Sequence, residues 1–225
     1  MQLLRIIADE YESLSNEEMQ EMVTAAAKSS KSTYDLMENL LEWSRVQTGN
    51  FPFKPQKIKL ITLLNNLEAL YNQNLKRKEI TLKINVEPET SVFADKKMTE
   101  TILRNLISNA IKFTYPNGTV IISSEPDNDL VIIKVTDTGV GIKTEKLSEL
   151  FQVDKVESTW GTAKETGTGL GLILCKELVE RQYGKIWVES KEDEGTTFYF
   201  SLPATSVQNK AKKEGPLTER QSCRA

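Results

Sequence analysis

A chain of 225 residues, 39% hydrophobic and 27% charged, can bury one core of ordinary size with a smaller helical element beside it, which excludes wholesale disorder. Its 29 basic and 32 acidic residues give a formal charge of -3 without large blocks, so it carries no electrostatic footprint for nucleic acid. No apolar run approaches the ~20 residues that cross a bilayer and no basic-then-apolar signal opens the chain, so a cytoplasmic piece without membrane contact of its own is expected, any membrane anchor of the parent protein lying upstream.

In chain order, Leu3, Leu4, Ile6 and Ile7 suggest a short helical stub. Tyr11–Asn16 then reads as a polar turn in which Ser15 or Asn16 caps a long helix ahead of Glu17 and Glu18. Apolar or small residues follow at Met22, Ala26, Ser29, Thr33, Leu36, Leu40 and Trp43, a four-then-three spacing that keeps one stripe on one side of a helix. Met37 and Leu41 widen it. The stripe fits a seam in a helical hairpin or bundle; a helix packed on its own globular domain is the other reading. Gly49, Pro52 and Pro55 break the helix, which predicts a domain boundary between residues 49 and 50.

The texture beyond that boundary is mixed α/β. Leu60–Leu75 is predicted to be an amphipathic helix, Ile80–Val86 a strand and Asp95–Thr114 a second helix. Strands recur at Thr119–Ser124 and Leu130–Asp137, a helix at Gly171–Tyr183, and a hairpin at Lys185–Ser190 and Thr196–Leu202 joined by the Gly-containing stretch Lys191–Gly195. From Ala204 the tail is polar and aperiodic, and is expected to be flexible.

Three stretches carry chemistry. On the helix Asp95–Thr114, Met98, Ile102, Leu106 and Ala110 form one side while Asn105, Asn109 and Lys112, spaced by four and three, share another. An Asn carbonyl can hold magnesium without adding charge and a Lys can neutralise a phosphate, although the same pattern also fits a solvated helix face. On Leu130–Asp137, a carboxylate ends the apolar side formed by Val131, Ile133 and Val135. A carboxylate in such a place needs a donor, which a purine's exocyclic amine supplies, and Gly139 and Gly141 then let the backbone turn and approach a ligand; a strand with a tight Asp-Thr-Gly turn is the plainer alternative. The third stretch, Gly167-Thr168-Gly169-Leu170-Gly171-Leu172, opens a helix, where free backbone N–H groups and the helix dipole favour an anion. It follows a loop rather than a strand, which argues against a dinucleotide fold, and the lysine loop of P-loop enzymes is absent. Histidine is missing altogether, and Cys175 and Cys223 read as two free thiols, so Cys/His metal chemistry is set aside.

In this order, Asn105-Leu-Ile-Ser-Asn109-Ala-Ile-Lys112-Phe113, Asp137-Thr-Gly-Val-Gly-Ile142, Leu150-Phe151 and Gly167–Leu172 resemble the asparagine, first glycine, phenylalanine and second glycine boxes of sensor histidine kinases. Leu40-Leu-Glu-Trp-Ser-Arg-Val-Gln-Thr-Gly49 looks like the end of the dimerisation hairpin of these kinases. The resemblance implies a two-layer α/β sandwich of a mixed sheet and helices, shared with gyrase-like and heat-shock chaperone ATPases, preceded by a truncated helical hairpin. The expected division is residues 1–49 for the partial hairpin, 50–203 for the ATP-binding catalytic domain and 204–225 for the tail.

By resemblance, Asn109 binds magnesium, Lys112 a phosphate, Phe113 sits beside the base and Asp137 receives the adenine amine. Asn105, Gly139, Gly141, Ile142, Gly167, Thr168, Gly169, Leu170, Gly171 and Leu172 complete the ATP site. A lid is expected over Gln152–Thr166, with Lys155 and Lys164 as phosphate contacts, and Thr196 supports the adenine carboxylate through water. The implied partners are ATP with Mg2+, a second copy of the chain through the hairpin and a response-regulator receiver domain; the implied reaction is transfer of the γ-phosphate of ATP to a histidine.

Two departures stand out. Phe151 is followed by Gln152-Val153-Asp154 rather than by the basic residue often found in the family, and the phosphoacceptor histidine is absent. The simplest expectation is a chain that begins just past that histidine and does not phosphorylate itself. A natural histidine-free pseudokinase acting as an ATP-gated interaction module, and an anti-sigma-type serine kinase on the same fold, are the alternatives; the helical seam argues against the second.

Overall fold

The computed structural model describes residues 15–47, 52–152, 155, 161–163 and 169–204. The predicted stub at Leu3–Glu10 and the polar tail from residue 205 lie outside the described residues. The first helix, α1, spans Asn16–Gln47. Its start is a capping box: the Ser15 Oγ accepts from the Glu18 N–H at 3.2 Å while the Glu18 carboxylate accepts from the Ser15 N–H at 2.9 Å. Of the expected stripe, Ala26 is buried and Met22 half-buried, whereas Ser29, Thr33 and Leu40 are exposed; the side chains of Leu36 and Trp43 lie outside the described residues.

Beyond the break come β1 (Pro55–Lys59), α2 (Leu60–Lys78), β2 (Thr81–Asn85), β3 (Ser91–Asp95), α3 (Lys96–Phe113), β4 (Thr119–Asp127), β5 (Leu130–Asp137), a single turn α4 (Thr144–Leu147), α5 (Gly171–Arg181), β6 (Ile186–Lys191) and β7 (Gly195–Pro203). Five strands form one sheet in the order β2-β4-β5-β7-β6, with β2 parallel to β4 and the other neighbours antiparallel. A separate ribbon pairs β1 with β3, from Pro55 opposite Asp95 to Lys59 opposite Ser91. The sequence does not predict β1, β3 or α4.

One face of the sheet is covered by α2, α3 and α5. Inward residues alternate along β5, where Val131, Ile133, Val135 and Asp137 are buried between half-buried neighbours, as a period of two requires. Across the interface Met98, Ile102, Leu103 and Leu106 of α3 are fully buried and meet Val120, Ile122, Phe198 and Phe200 in one core. Removing Phe200, which is 0% exposed, would cost about 3–5 kcal/mol. The opposite face carries the stacked pair Trp187 and Tyr199, with ring centroids 5.1 Å apart.

Both ends of α3 are fixed by side chains. Asp95 caps its start, its Oδ1 accepting from Lys97 N and Met98 N at 2.9 and 3.1 Å and its Oδ2 from Lys54 N at 2.8 Å. The helix stops at Phe113, because Thr114 is already extended, with its N–H and its hydroxyl both donating back to Ala110 O, at 3.0 and 2.6 Å. In addition, α1 lies against α5. Its Val23, Tyr34, Met37, Leu40 and Leu41 are nonetheless about half exposed, at 50–59%.

Candidate functional site

The site begins on α3. Asn105, Asn109 and Lys112 are all half-buried, on the flank of the helix whose other side, Met98 to Ala110, is sealed in the core. The Nδ2 of Asn105 donates to Thr101 O one turn back at 3.0 Å, while its Oδ1 meets the backbone of Gly171: a β-carbon there would stand 2.6 Å from that oxygen. Asn105 therefore seats the start of α5 on α3. The Asn109 amide makes no side-chain hydrogen bond among the described residues, and Lys112 Nζ sits 4.5 Å from the Phe113 ring centroid, a cation–π distance.

The end of β5 meets this helix at Phe113. The Gly139 backbone passes so close that a β-carbon would lie 2.2 Å from Phe113 O, and Val140 N donates to that same oxygen at 3.2 Å. Asp137 is 5% exposed, with its Oδ1 accepting from Gly139 N at 2.9 Å. Burial pushes its carboxyl up to about 6, against the lowering effect of backbone N–H groups from Gly139 and Thr196.

The first glycine loop is buttressed from the other side by the β6–β7 hairpin. Gly141 has φ 66°, a left-handed conformation that favours glycine, and a β-carbon there would meet Lys191 O at 1.9 Å. Asp193 N donates to Val140 O at 2.8 Å and Ile142 N donates to Ser190 Oγ at 2.8 Å. The Ser190 hydroxyl in turn donates to Gly195 O at 2.9 Å and lies 2.9 Å from Thr196 Oγ1. Sequence reasoning missed Ser190. A lone serine near a strand end carries no pattern; only the closed hairpin brings its oxygen to the loop.

Thr196 shares the inward face of β7 with Phe198 and Phe200, as its alternation predicts. Gly169 has φ 73°, Leu170 precedes the first turn of α5 and is half-buried, and Leu172 packs against the core. Lys155 is ion-paired with Glu149 at 3.4 Å. Gly167, Thr168, Lys164 and most of the expected lid lie outside the described residues.

Among the described residues no group of three or more His, Cys, Asp or Glu could hold a metal. Asn109 offers one neutral amide oxygen on this flank of α3, a hard donor of the kind a divalent ion accepts. No described helix is long and apolar enough to cross a membrane.

Residues 94–206, half of the chain, match the family described as histidine kinase-, DNA gyrase B- and HSP90-like ATPase. The autoinducer 2 sensor kinase/phosphatase LuxQ of Vibrio parahaemolyticus is 29% identical over 218 residues, covering 93% of this chain and 25% of LuxQ, so the chain spans about a quarter of that relative's length. Among solved structures, the nucleotide-free catalytic domain of the histidine kinase ThkA superposes with a TM-score of 0.59 at 30% identity, over 68% of this chain and 97% of that domain. ThkA in complex with the response regulator protein TrrA shares the fold, with a TM-score of 0.67 at 22% identity over 90% of this chain and 57% of that chain.

Proposed function

We propose that this chain, which belongs to the histidine kinase-, DNA gyrase B- and HSP90-like ATPase family, is an ATP-binding catalytic unit that donates the γ-phosphate of ATP to a histidine it does not itself contain. The observation that carries this is the buried Asp137 carboxylate, closed by Gly139 and set against the C-terminal end of the helix bearing Asn109 and Lys112. In this reading Asp137 accepts from the adenine amine, Thr196 shares in that contact, and Phe113 flanks the base. Lys112 and the backbone amides at the start of α5 face the phosphates. Magnesium, held by Asn109 together with phosphate oxygens, would supply charge neutralisation at the polyphosphate.

Transfer follows from placement. An imidazole nitrogen of the acceptor forms a bond to the γ-phosphorus as the bond from that phosphorus to the β,γ-bridging oxygen breaks, and ADP leaves with the electron pair. Residues 1–49 form a dimerisation element, for which the exposed Met37, Leu40 and Leu41 of α1 give the apolar surface. The acceptor then passes its phosphate to a receiver domain of a response regulator.

The test is phosphotransfer in trans. With γ-labelled ATP and a histidine-bearing helical hairpin from a kinase of this family, label should appear on the hairpin as acid-labile, base-stable phosphate and not on this chain. Acid-stable label on this chain's own serine or threonine would contradict the histidine kinase reading and favour a serine kinase.

A further inference from the structure

We propose that Ser190 is a positioning residue that fixes the direction of the Thr196 hydroxyl, and so makes the base end of the site selective for a 6-amino over a 6-oxo purine. This rests on the nucleotide-binding function proposed above and deepens it. Ser190, Thr196 and Asp137 are successive partners across β6, β7 and β5, in one row at the end of the sheet. Partners in an antiparallel pair share a face, so the three side chains stand on the side that the helices cover. The next two rows on that face are apolar: Val188, Phe198 and Val135, then Ile186, Phe200 and Ile133. A polar row at the edge of an apolar face must find its own hydrogen-bond partners.

Counting protons along the row gives each hydroxyl a direction. A serine hydroxyl has one proton and two acceptor lone pairs. The Ser190 Oγ accepts from Ile142 N at 2.8 Å and donates to Gly195 O at 2.9 Å. Neither contact can be reversed, because an amide N–H only donates and a carbonyl only accepts. Gly195 itself is held in place, since a β-carbon there would stand 2.1 Å from Asp137 O. With its proton given to Gly195, Ser190 meets Thr196 Oγ1 at 2.9 Å as the acceptor, and Thr196 is the donor. The Thr196 hydroxyl then keeps only lone pairs for any further partner. Beside it, an ionised Asp137 carboxylate also only accepts.

Two neighbouring acceptors at one end of the site choose between bases. A purine with an amino group at C6 brings N–H donors to them, whereas a 6-oxo purine brings a third acceptor and leaves buried oxygens without protons. Asp137 alone would favour the amine. Ser190 adds to that preference by keeping the Thr196 proton away from the base; without Ser190 the Thr196 hydroxyl can rotate and donate to a 6-oxo group. The signature of Ser190 is therefore the ratio of affinities for two bases, a quantity that simple loosening of the β6–β7 hairpin does not change.

The experiment is calorimetry with ADP and with inosine diphosphate, in magnesium at pH 8, on the parent, Ser190→Ala, Thr196→Val and the double variant, with thermal unfolding of each. The parent should prefer ADP by about 10-fold or more, and Ser190→Ala should shrink that preference by about 3- to 10-fold. Thr196→Val should shrink it as well, and the double variant should match Thr196→Val within about 2-fold, because Ser190 has nothing left to orient. If Ser190→Ala does not fold, Thr196→Val decides alone, and a preference unchanged from the parent's would overturn the proposal. A Ser190→Ala protein that unfolds at lower temperature, or binds both nucleotides more weakly, yet keeps the parent's preference would overturn it while leaving nucleotide binding intact. So would a parent that binds both nucleotides equally. A parent that binds neither would overturn the proposed function as well.

Discussion

Asp137 and Thr196 stand directly opposite each other across the antiparallel β5–β7 pair, both turned to the helix layer and both nearly sealed from solvent, at 5% and 6% exposure. The pair places two oxygens side by side at the floor of the site, one of them on a carboxyl group that burial pushes to about 6. Because that value lies above the ordinary 3.8, the folded chain holds the proton more tightly than the unfolded chain. Ionised Asp137 therefore destabilises the fold by on the order of 3 kcal/mol above pH 6, a penalty that fades as pH falls from 6 towards 3.8. Adenine binding needs the ionised form and should run the other way, weakening as pH falls through 6. Titrations with ADP between pH 5 and 8, compared with Asp137→Asn over the same range, check this; a parent and variant with the same pH profile would contradict it.

Asp137→Asn itself should separate stability from function. The amide oxygen can still accept from Gly139 N, so the loop keeps its bond while the buried charge is gone, and the variant should unfold at the same or a higher temperature at pH 7–8. Its amide presents a donor where the carboxylate accepted, so adenine nucleotides should bind more weakly by about 1.5–3 kcal/mol. Thermal unfolding and calorimetry on one preparation measure both. A variant that binds as the parent does would move the adenine contact elsewhere.

Gly141→Ala should distort the first glycine loop. The added methyl meets the Lys191 carbonyl, a backbone atom that moves only if the β6–β7 hairpin moves, and the positive φ disfavours alanine as well. A loss of at least about 2 kcal/mol is expected in urea unfolding. A loss below half that would mean that hairpin and loop separate easily.

Most of the sheet and the three covering helices were legible in the sequence because each carries a clear period. Leu130–Asp137 alternates without interruption and emerges with the predicted bounds, and α3 pairs an apolar stripe with an aspartate cap. The ribbon of β1 and β3 was not legible. Residues 55–59 read Pro-Gln-Lys-Ile-Lys, with only Ile58 buried, and their partner lies far along the chain at Ser91–Asp95. Nothing local announces such a pairing. The glycine loops could be read as ligand-approaching backbone, but not what they approach: Gly139 is forced by Phe113 O and Gly171 by Asn105, contacts that exist only after α3 is docked. Ser190 was invisible for the same reason, since a serine in a strand ordinarily faces water.

Cys175 gives a probe of the core beneath α5. It is 0% exposed, and burial pushes its thiol far above the ordinary range, so the reactive thiolate is scarce. Peptide mapping after brief alkylation at pH 8 should find Cys175 unmodified in the native protein and fully modified in denaturant. Rapid native labelling would show that α5 opens from the sheet.

The most direct measurement of the central claim is titration calorimetry of the folded chain with ADP and ATP, with and without magnesium. The site built from Asp137, Gly139, Asn109 and Lys112 predicts saturable binding of both nucleotides with a dissociation constant of about 1 mM or tighter, strengthened by magnesium. Absence of heat and of competition by either nucleotide, in a sample whose cooperative unfolding shows it to be native, would contradict the account.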